Sequence, residues 1–455
     1  MEKCIKFFIP DFIWQKIEKN PEFKKIVANI NWLFIDKIIQ MAVAFFVGIW
    51  MVRYLGPEKY GKLSYAIAFV ALFGAFAKLG LESIVIKEAV KSVFKKEKLL
   101  GTTFVLRIFS GFLALSFSII SIFFFKAGDV GDYEAIIITI IISVSLIFQA
   151  FDVIDYWFQS RVASRFSVFA RSFACIFASL IKIIAILSGA SLLTFSWIVL
   201  LESFLVYFGT IIAYKIQKQQ IELWSVDFSI AKELLKQSWP LMFSSIAIIV
   251  YMKIDQIMIG NMLGNTKLGV YSAAVVLCEA WYVIPAIIVT SVFPAIIYSQ
   301  KIGKDLFVQR FQALYDVLLW IAILIAIPIS LFSSQIIEIL YGAKYQQADT
   351  VLSIYIWAGI FVFLNAGLGR YLVAENMTKV AFARSIVGAI ANILLNLMFI
   401  PAYGIKGAAM ATLISYGLAT LSSMMPQKSR INFVLIKNSL NVFRISRTIL
   451  SFYKK

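Results

Sequence analysis

Five ionisable residues stand deep inside long apolar runs: Lys182, Glu202, Lys253, Asp255 and Glu279. A charge at the centre of a bilayer costs at least about 2.5 kcal/mol unless it snorkels or finds a partner, so each one marks a candidate site. Lys253 and Glu279 fall at similar depths on consecutive antiparallel runs, which also suits a purely structural ion pair. Asp36, Lys37, Arg107, Asp152, Asp155 and Asp316 lie nearer the ends of their runs and are expected to reach water by snorkelling. The fifth run adds a pattern. Arg171, Cys175, Ala178, Ser179 and Lys182 recur at helical spacing and form one stripe of small and polar side chains. In the eleventh, Arg384, Gly388, Ala391, Asn392 and Asn396 form a second stripe that also begins with arginine. Two readings fit these stripes: facing walls of a central cavity with arginines at its inner mouth, or tight helix packing with the arginines as topology anchors.

The elements that must position these groups are membrane helices. A chain that is 61% hydrophobic and 15% charged, with a mean hydropathy of +0.86, is not a soluble globular domain. Runs of about twenty apolar residues, the length that crosses the hydrocarbon layer, recur from Trp32 to Met425. The expected fold is an all-α polytopic membrane protein with twelve transmembrane helices in two pseudo-symmetric six-helix lobes. Residues 1–31 form a cytoplasmic or interfacial arm, 32–214 the N-lobe, 215–237 a cytoplasmic linker, 238–425 the C-lobe and 426–455 a basic interfacial tail. The two lobes follow from an internal repeat: Leu263-Gly264, Gly269 and Ser272–Ala274 copy Leu55-Gly56, Gly61 and Ser64–Ala66 at one offset.

A net charge of +18 would suggest nucleic acid if the basic residues formed a patch, but they are divided by topology. Loops after odd-numbered crossings hold only Arg53, Lys59, Lys62, Lys126, Lys267, Lys344 and Lys406. The other side carries most of the 43 Lys and Arg, which places both termini in the cytoplasm. The two longest loops, 78–99 and 215–237, are too short for a folded catalytic domain, so function belongs to the spans. The three cysteines, Cys4, Cys175 and Cys278, suggest no disulfide framework, and no cleavable signal pattern precedes Trp32. Pro240, Pro285, Pro294 and Pro328 fall in or near the seventh to ninth spans, so bending is expected mainly in the second half.

Four motifs in order, Arg53-Tyr-Leu-Gly-Pro-Glu-Lys-Tyr-Gly61, Lys253-Ile-Asp-Gln-Ile-Met-Ile-Gly260, Tyr341-Gly-Ala-Lys-Tyr345 and Asn392–Asn396 running into Ile400-Pro-Ala-Tyr-Gly-Ile-Lys-Gly407, carry a family likeness. Over about residues 29–426 the chain resembles the oligosaccharide flippases of the multidrug/oligosaccharidyl-lipid/polysaccharide exporter superfamily, the O-antigen and capsule translocases among them. The resemblance implies a non-enzymatic transporter of a bacterial inner membrane. It would carry a polyprenyl-pyrophosphate-linked oligosaccharide from the inner to the outer leaflet by alternating access, for surface polysaccharide synthesis. Its partners would be that lipid-linked sugar, the bilayer and other polysaccharide-assembly membrane proteins, not nucleic acid. Arg171, Arg384, Lys182 and Lys253 would offset phosphate charge, with Asn392 and Asn396 beside them. No cofactor or metal is expected. With no histidine in the chain, coupling to H⁺ or Na⁺ would fall to Asp255, Glu279 and Glu202. Two competing functions are a cation-coupled multidrug exporter of the same superfamily and a membrane enzyme acting on lipid-linked sugars.

Overall fold

A computed structural model describes residues 21–92, 94–126, 133–375 and 377–441. The expected N-terminal arm up to residue 20, most of the loop after Lys126 and the expected tail after 441 lie outside those residues, as do the side chains of Asp36 and Lys37. The chain is all-α. In order it runs through α1 (Pro21–Ala77), α2 (Glu82–Lys91), α3 (Lys96–Lys126), α4 (Tyr133–Ser143), α5 (Asp152–Ser160), α6 (Arg165–Leu187) and α7 (Leu192–Ile216). It continues with α8 (Phe228–Leu263), α9 (Asn265–Glu279), α10 (Val283–Ile302), α11 (Lys304–Leu331), α12 (Ser333–Tyr341), α13 (Ala348–Tyr355), α14 (Ala358–Ala374), α15 (Thr378–Tyr403), α16 (Ile405–Ser422) and α17 (Arg430–Ser439). Among the described residues, ten helical stretches are long and apolar enough to cross a membrane.

The repeat read from the sequence is a contact in space. Gly56 breaks α1 with φ +71°, ψ 171°, and its counterpart Gly264 separates α8 from α9 with φ +86°, ψ 171°. Both values lie where an L side chain is strained, and the following Pro57 and Asn265 start the next helical stretch. One turn later Gly61 and Gly269 face each other. A Cβ on Gly61 would stand 1.8 Å from the Asn265 carbonyl oxygen, and one on Gly269 would stand 1.8 Å from the Pro57 carbonyl oxygen. The reciprocity is that of an isologous contact, each half presenting the same patch to the other. Around it Tyr65 Oη donates to Asn261 Oδ1 (3.0 Å), and the Tyr65 ring lies where a Cβ on Gly260 would be. The turn after α12 stitches onto the same end: Tyr345 Oη donates to the Val52 carbonyl (2.8 Å) and Tyr341 Oη to that of Ala273 (3.3 Å). At the opposite end Gly80, φ +64°, lies against the backbone of Ser238 to Met242 at the start of the second half.

Bending is not confined to the proline-rich half. The stretch from α4 to α5 is interrupted by a single turn, Ser145–Phe148, and a 3₁₀ turn, Gln149–Phe151, in a segment without proline. The cause is a partner outside the helix. Arg107 on α3 donates to the Gln149 carbonyl, which the tightened turn presents to it. Gly111 makes room, since a Cβ there would stand 2.9 Å from the Leu146 carbonyl oxygen. In the second half, α9 passes through the 3₁₀ turn Ala280–Tyr282 before α10, three residues ahead of Pro285, as expected for a ring that excludes the preceding turn.

The segment joining the halves is held to the first. Ser225 N donates to the Glu97 carbonyl (3.2 Å), Asp227 N to Thr102 Oγ1 (2.9 Å), and Lys98 Nζ to Asp227 Oδ2 (2.9 Å). Asp227 also caps α8 through Ser229 N (3.0 Å). The Lys98 hydrogen bond holds its carboxyl below the usual carboxylate range.

Replacing Gly61 or Gly269 with alanine forces a methyl group against a carbonyl. Each variant is expected to destabilise the protein by about 1–3 kcal/mol, read as a lower midpoint of thermal unfolding in detergent micelles. Gly48→Ala, where a Cβ meets nothing within 4 Å, should leave that midpoint unchanged or raise it.

Candidate functional site

Charge inside the bundle is paired. Arg171 donates to Asp155 Oδ1 at 2.9 Å, bridging α6 to α5. Lys182 donates to Glu202 Oε2 at 2.8 Å between α6 and α7. Lys253 reaches both oxygens of Glu279, at 3.0 and 3.1 Å, between α8 and α9. Arg107, 1% exposed, is enclosed by Asp152 (2.7 Å), Tyr156 Oη (2.6 Å) and the Gln149 carbonyl. The expectation that Arg107 and Asp316 snorkel to water is therefore corrected. Asp316, 1% exposed, accepts from Gln312 Nε2 (2.7 Å) and Ser439 Oγ (2.6 Å). It helps dock α17 onto α11, together with Tyr315 Oη donating to Asn432 Oδ1 (2.8 Å). Both side chains are too short, or face the wrong way, to reach solvent once the neighbouring helices pack.

Arg384 and Asp255 depart from this pattern of paired charge. Arg384, half-buried on α15, donates to Asn365 Oδ1 at 3.1 Å, and Asn365 in turn donates to Thr420 Oγ1 at 2.9 Å. Its hydrogen-bond partner is neutral, and no carboxylate lies within salt-bridge distance among the described residues. Asp255, 1% exposed on α8, accepts from Tyr271 Oη, from Gln256 N (2.8 Å) and from Thr412 Oγ1 (3.4 Å). These donors are neutral too. A charge held only by dipoles in low dielectric retains most of its appetite for a counter-ion.

The remaining site candidates lie in helix contacts. Asn392 and Asn396 are 0% exposed. Asn392 Nδ2 donates to Ser415 Oγ (3.0 Å) on α16, and Asn396 Nδ2 to Asn392 Oδ1 (2.9 Å). Gly388 is nearest Ala419 and Tyr251. The second stripe thus packs α15 on α16 and α8, with Arg384 at its margin. The first stripe is tied by its two cations to α5 and α7. Asn396 Oδ1, on the α15–α16 seam, is buried without a hydrogen-bond partner.

Reading charges alone passed over Asn365, Tyr271 and Thr412, the neutral groups that hold Arg384 and Asp255. One signal was present. At the repeat offset, Asp255 and Tyr271 stand where the first copy has Val47 and Leu63, so the second copy had gained a polar pair.

Breaking one partner of the Lys253–Glu279 pair should show what it holds. Glu279→Gln is expected to lower stability by roughly 1–3 kcal/mol, less than a wholly buried pair because both groups keep some exposure. The exchange Lys253→Glu with Glu279→Lys should recover most of it in thermal unfolding. Arg107→Met, which leaves the half-buried Asp152 and the Gln149 carbonyl without their wholly buried donor, should cost more, about 3–5 kcal/mol.

The family model described as "Polysaccharide biosynthesis protein" matches residues 26–300, and one described as MatE matches residues 240–398. The chain is 24% identical over 405 residues to the capsular polysaccharide biosynthesis protein CapF of Staphylococcus aureus, covering 87% of this chain and 98% of that one. It is 27% identical over 214 residues to the probable low-salt glycan biosynthesis flippase Agl15 of Haloferax volcanii, covering 46% and 45%. Among solved structures it superposes on the lipid II flippase MurJ in an inward closed conformation with a TM-score of 0.72 at 18% identity, over 91% of both chains. An inward-facing multidrug resistance MATE family transporter gives 0.67 at 14% identity, over 88% and 95%. With a family match over more than half of its length, the chain belongs to the polysaccharide biosynthesis protein family, as a polytopic membrane protein with the fold of the multidrug/oligosaccharidyl-lipid/polysaccharide exporter superfamily.

Proposed function

We propose that this protein is a flippase that moves a polyprenyl-pyrophosphate-linked oligosaccharide from the inner to the outer leaflet of the cytoplasmic membrane by alternating access, for surface polysaccharide synthesis. The observation that carries the reading is Arg384, a half-buried guanidinium answered only by an amide. Arg171, Lys182 and Lys253 already have carboxylates, so they engage a pyrophosphate only by exchanging partners, whereas Arg384 has charge to give. A sugar chain and a pyrophosphate cannot cross hydrocarbon unaided, so the headgroup passes through a hydrated gap between lobes while its tail stays in lipid. The names of CapF and Agl15 support a glycan-linked substrate.

The lobes of this reading are residues 32–214 and 238–425, with 215–237 as a cytoplasmic linker. Their twelve crossings are the ten long apolar stretches plus two. The first stretch divides at Gly56 into two crossings, and α16, eighteen residues closing the bundle after the Gly404 turn, is the other. Both termini face the cytoplasm under this topology. The reciprocal Gly61–Gly269 contact is then the outer gate, and the Gly80 contact lies on the inner side.

Ion coupling is assigned to Asp255. Glu202 and Glu279 are neutralised by lysines, which also disfavours the cationic-drug reading that would need them open. Asp255 stands free of a salt bridge among the described residues, with Thr412 Oγ1 and Tyr271 Oη beside it. An oxygen set of this kind fits a hard cation such as Na⁺, and the carboxylate alone fits H⁺.

Deleting the gene should strand lipid-linked oligosaccharide in the inner leaflet, measured by accessibility to an added glycosidase; a change in drug resistance alone would refute the reading. Arg171→Ala with Arg384→Ala should abolish export of surface polysaccharide while leaving membrane insertion intact, and Arg384→Ala alone should account for most of the loss. Asp255→Asn should remove the dependence of flipping on an imposed H⁺ or Na⁺ gradient in proteoliposomes. Persistent gradient dependence would move coupling elsewhere.

A further inference from the structure

Helices α6 and α7 leave a groove of about 260 Å³ between their antiparallel ends. Phe166, Phe169, Ile212 and Ile216 wall it, and its floor is the close approach of Gly209 to Ala170, where a Cβ on Gly209 would lie 3.1 Å from that of Ala170. The groove opens toward lipid, not toward the bundle. Phe169, Phe173, Phe177, Leu180 and Ile184 form the exposed, wholly apolar stripe of α6, while Arg171 and Lys182 with their carboxylates lie on the other side of the helix.

The polar end of this groove is cationic. The Arg165 guanidinium lies over the ring of Phe166, 4.7 Å from its centroid, and Phe166 is one wall. Arg161 lies 4.5 Å over Trp157 in the turn just before. Both are exposed and neither has a carboxylate partner among the described residues. Lys218, two residues beyond Ile216, is exposed at the same end. Aromatic faces hold these guanidiniums at the boundary between hydrocarbon and water without neutralising them. A hydrocarbon slot with one unpaired guanidinium over its wall, and a second one turn earlier in the chain, is complementary to one molecular shape, a chain carrying a phosphate at its head.

We infer that this groove is a binding site for an anionic glycerophospholipid of the surrounding leaflet, one acyl chain lying between α6 and α7 and the phosphate bridging Arg161 and Arg165. The site is independent of the substrate assignment, because Arg384 belongs to the other half of the chain. A lipid so held would brace α6 against α7 beside the Lys182–Glu202 pair.

The test is native mass spectrometry of the full-length protein in micelles titrated with phosphatidylglycerol or phosphatidylcholine. The expected result is one retained phosphatidylglycerol, favoured over phosphatidylcholine roughly tenfold, the scale of one charge-assisted contact. Arg161→Gln with Arg165→Gln should bring that preference near parity, while the Arg161→Lys, Arg165→Lys pair should keep most of it. Ala213→Phe, which fills the slot from the lipid side, should reduce retention with both arginines in place. Should Ala213→Phe fail to fold, judged by its melting midpoint, the arginine variants still decide. Equal retention of both lipids by the native protein, or unchanged preference in the glutamine pair, overturns the site. So does one-for-one displacement of phosphatidylglycerol by a polyprenyl phosphate, which would make the groove a substrate-tail site.

Discussion

Charge in a low-dielectric bundle must be answered, and the arrangement of this protein follows from how each charge is answered. Lys182 with Glu202, Lys253 with Glu279 and Arg171 with Asp155 each join two helices across an otherwise apolar interior. Arg107 goes further: its demand for acceptors also takes the Gln149 carbonyl, where the helix that carries it tightens to a 3₁₀ turn. Arg384 and Asp255, held by neutral partners, therefore stand out physically and not only by position. An anion at the first and a cation at the second would supply what the protein itself withholds.

Between the halves a different constraint operates. Hydrocarbon gives no hydrophobic drive for helices to associate, so contact depends on close packing of small residues. Gly61 and Gly269 let two backbones approach until a carbonyl of one half occupies the space of a missing methyl group in the other. Because both partners are glycines in equivalent positions, the contact is self-complementary and carries no charge. A joint of that type can open without leaving an ion unpaired, which suits the gating role proposed for it. The segment 217–227, by contrast, is bound by several hydrogen bonds to α3 and belongs mechanically to the first half.

The motifs that carried the family likeness turn out to be devices of assembly more than of chemistry. Gly56 and Gly61 make the break and the close approach; Gly260 admits the Tyr65 ring; Tyr341 and Tyr345 tie a loop to the joint. Gly404 turns the chain with φ +61°, and Gly407 fits beneath the Phe399 carbonyl. Asn392 and Asn396 hold α15 to α16. These are positions where backbone meets backbone, which is why their residue types read so clearly against an apolar background.

Composition and periodicity were enough to establish an all-α polytopic membrane protein, because the length of hydrocarbon to be crossed and the expense of burying charge act on the chain locally. The Lys253–Glu279 pair was legible for the same reason, two opposite charges at one depth on adjacent spans. Which way a stripe faces was not legible: a helix pattern defines a side but not what packs against it. Only the tertiary structure turned Asn392 and Asn396 into an interhelical contact, buried Arg107 and Asp316 away from water, and left Arg384 with an amide where Arg171 has a carboxylate. Those outcomes depend on partners far away in sequence, brought within hydrogen-bonding range by packing.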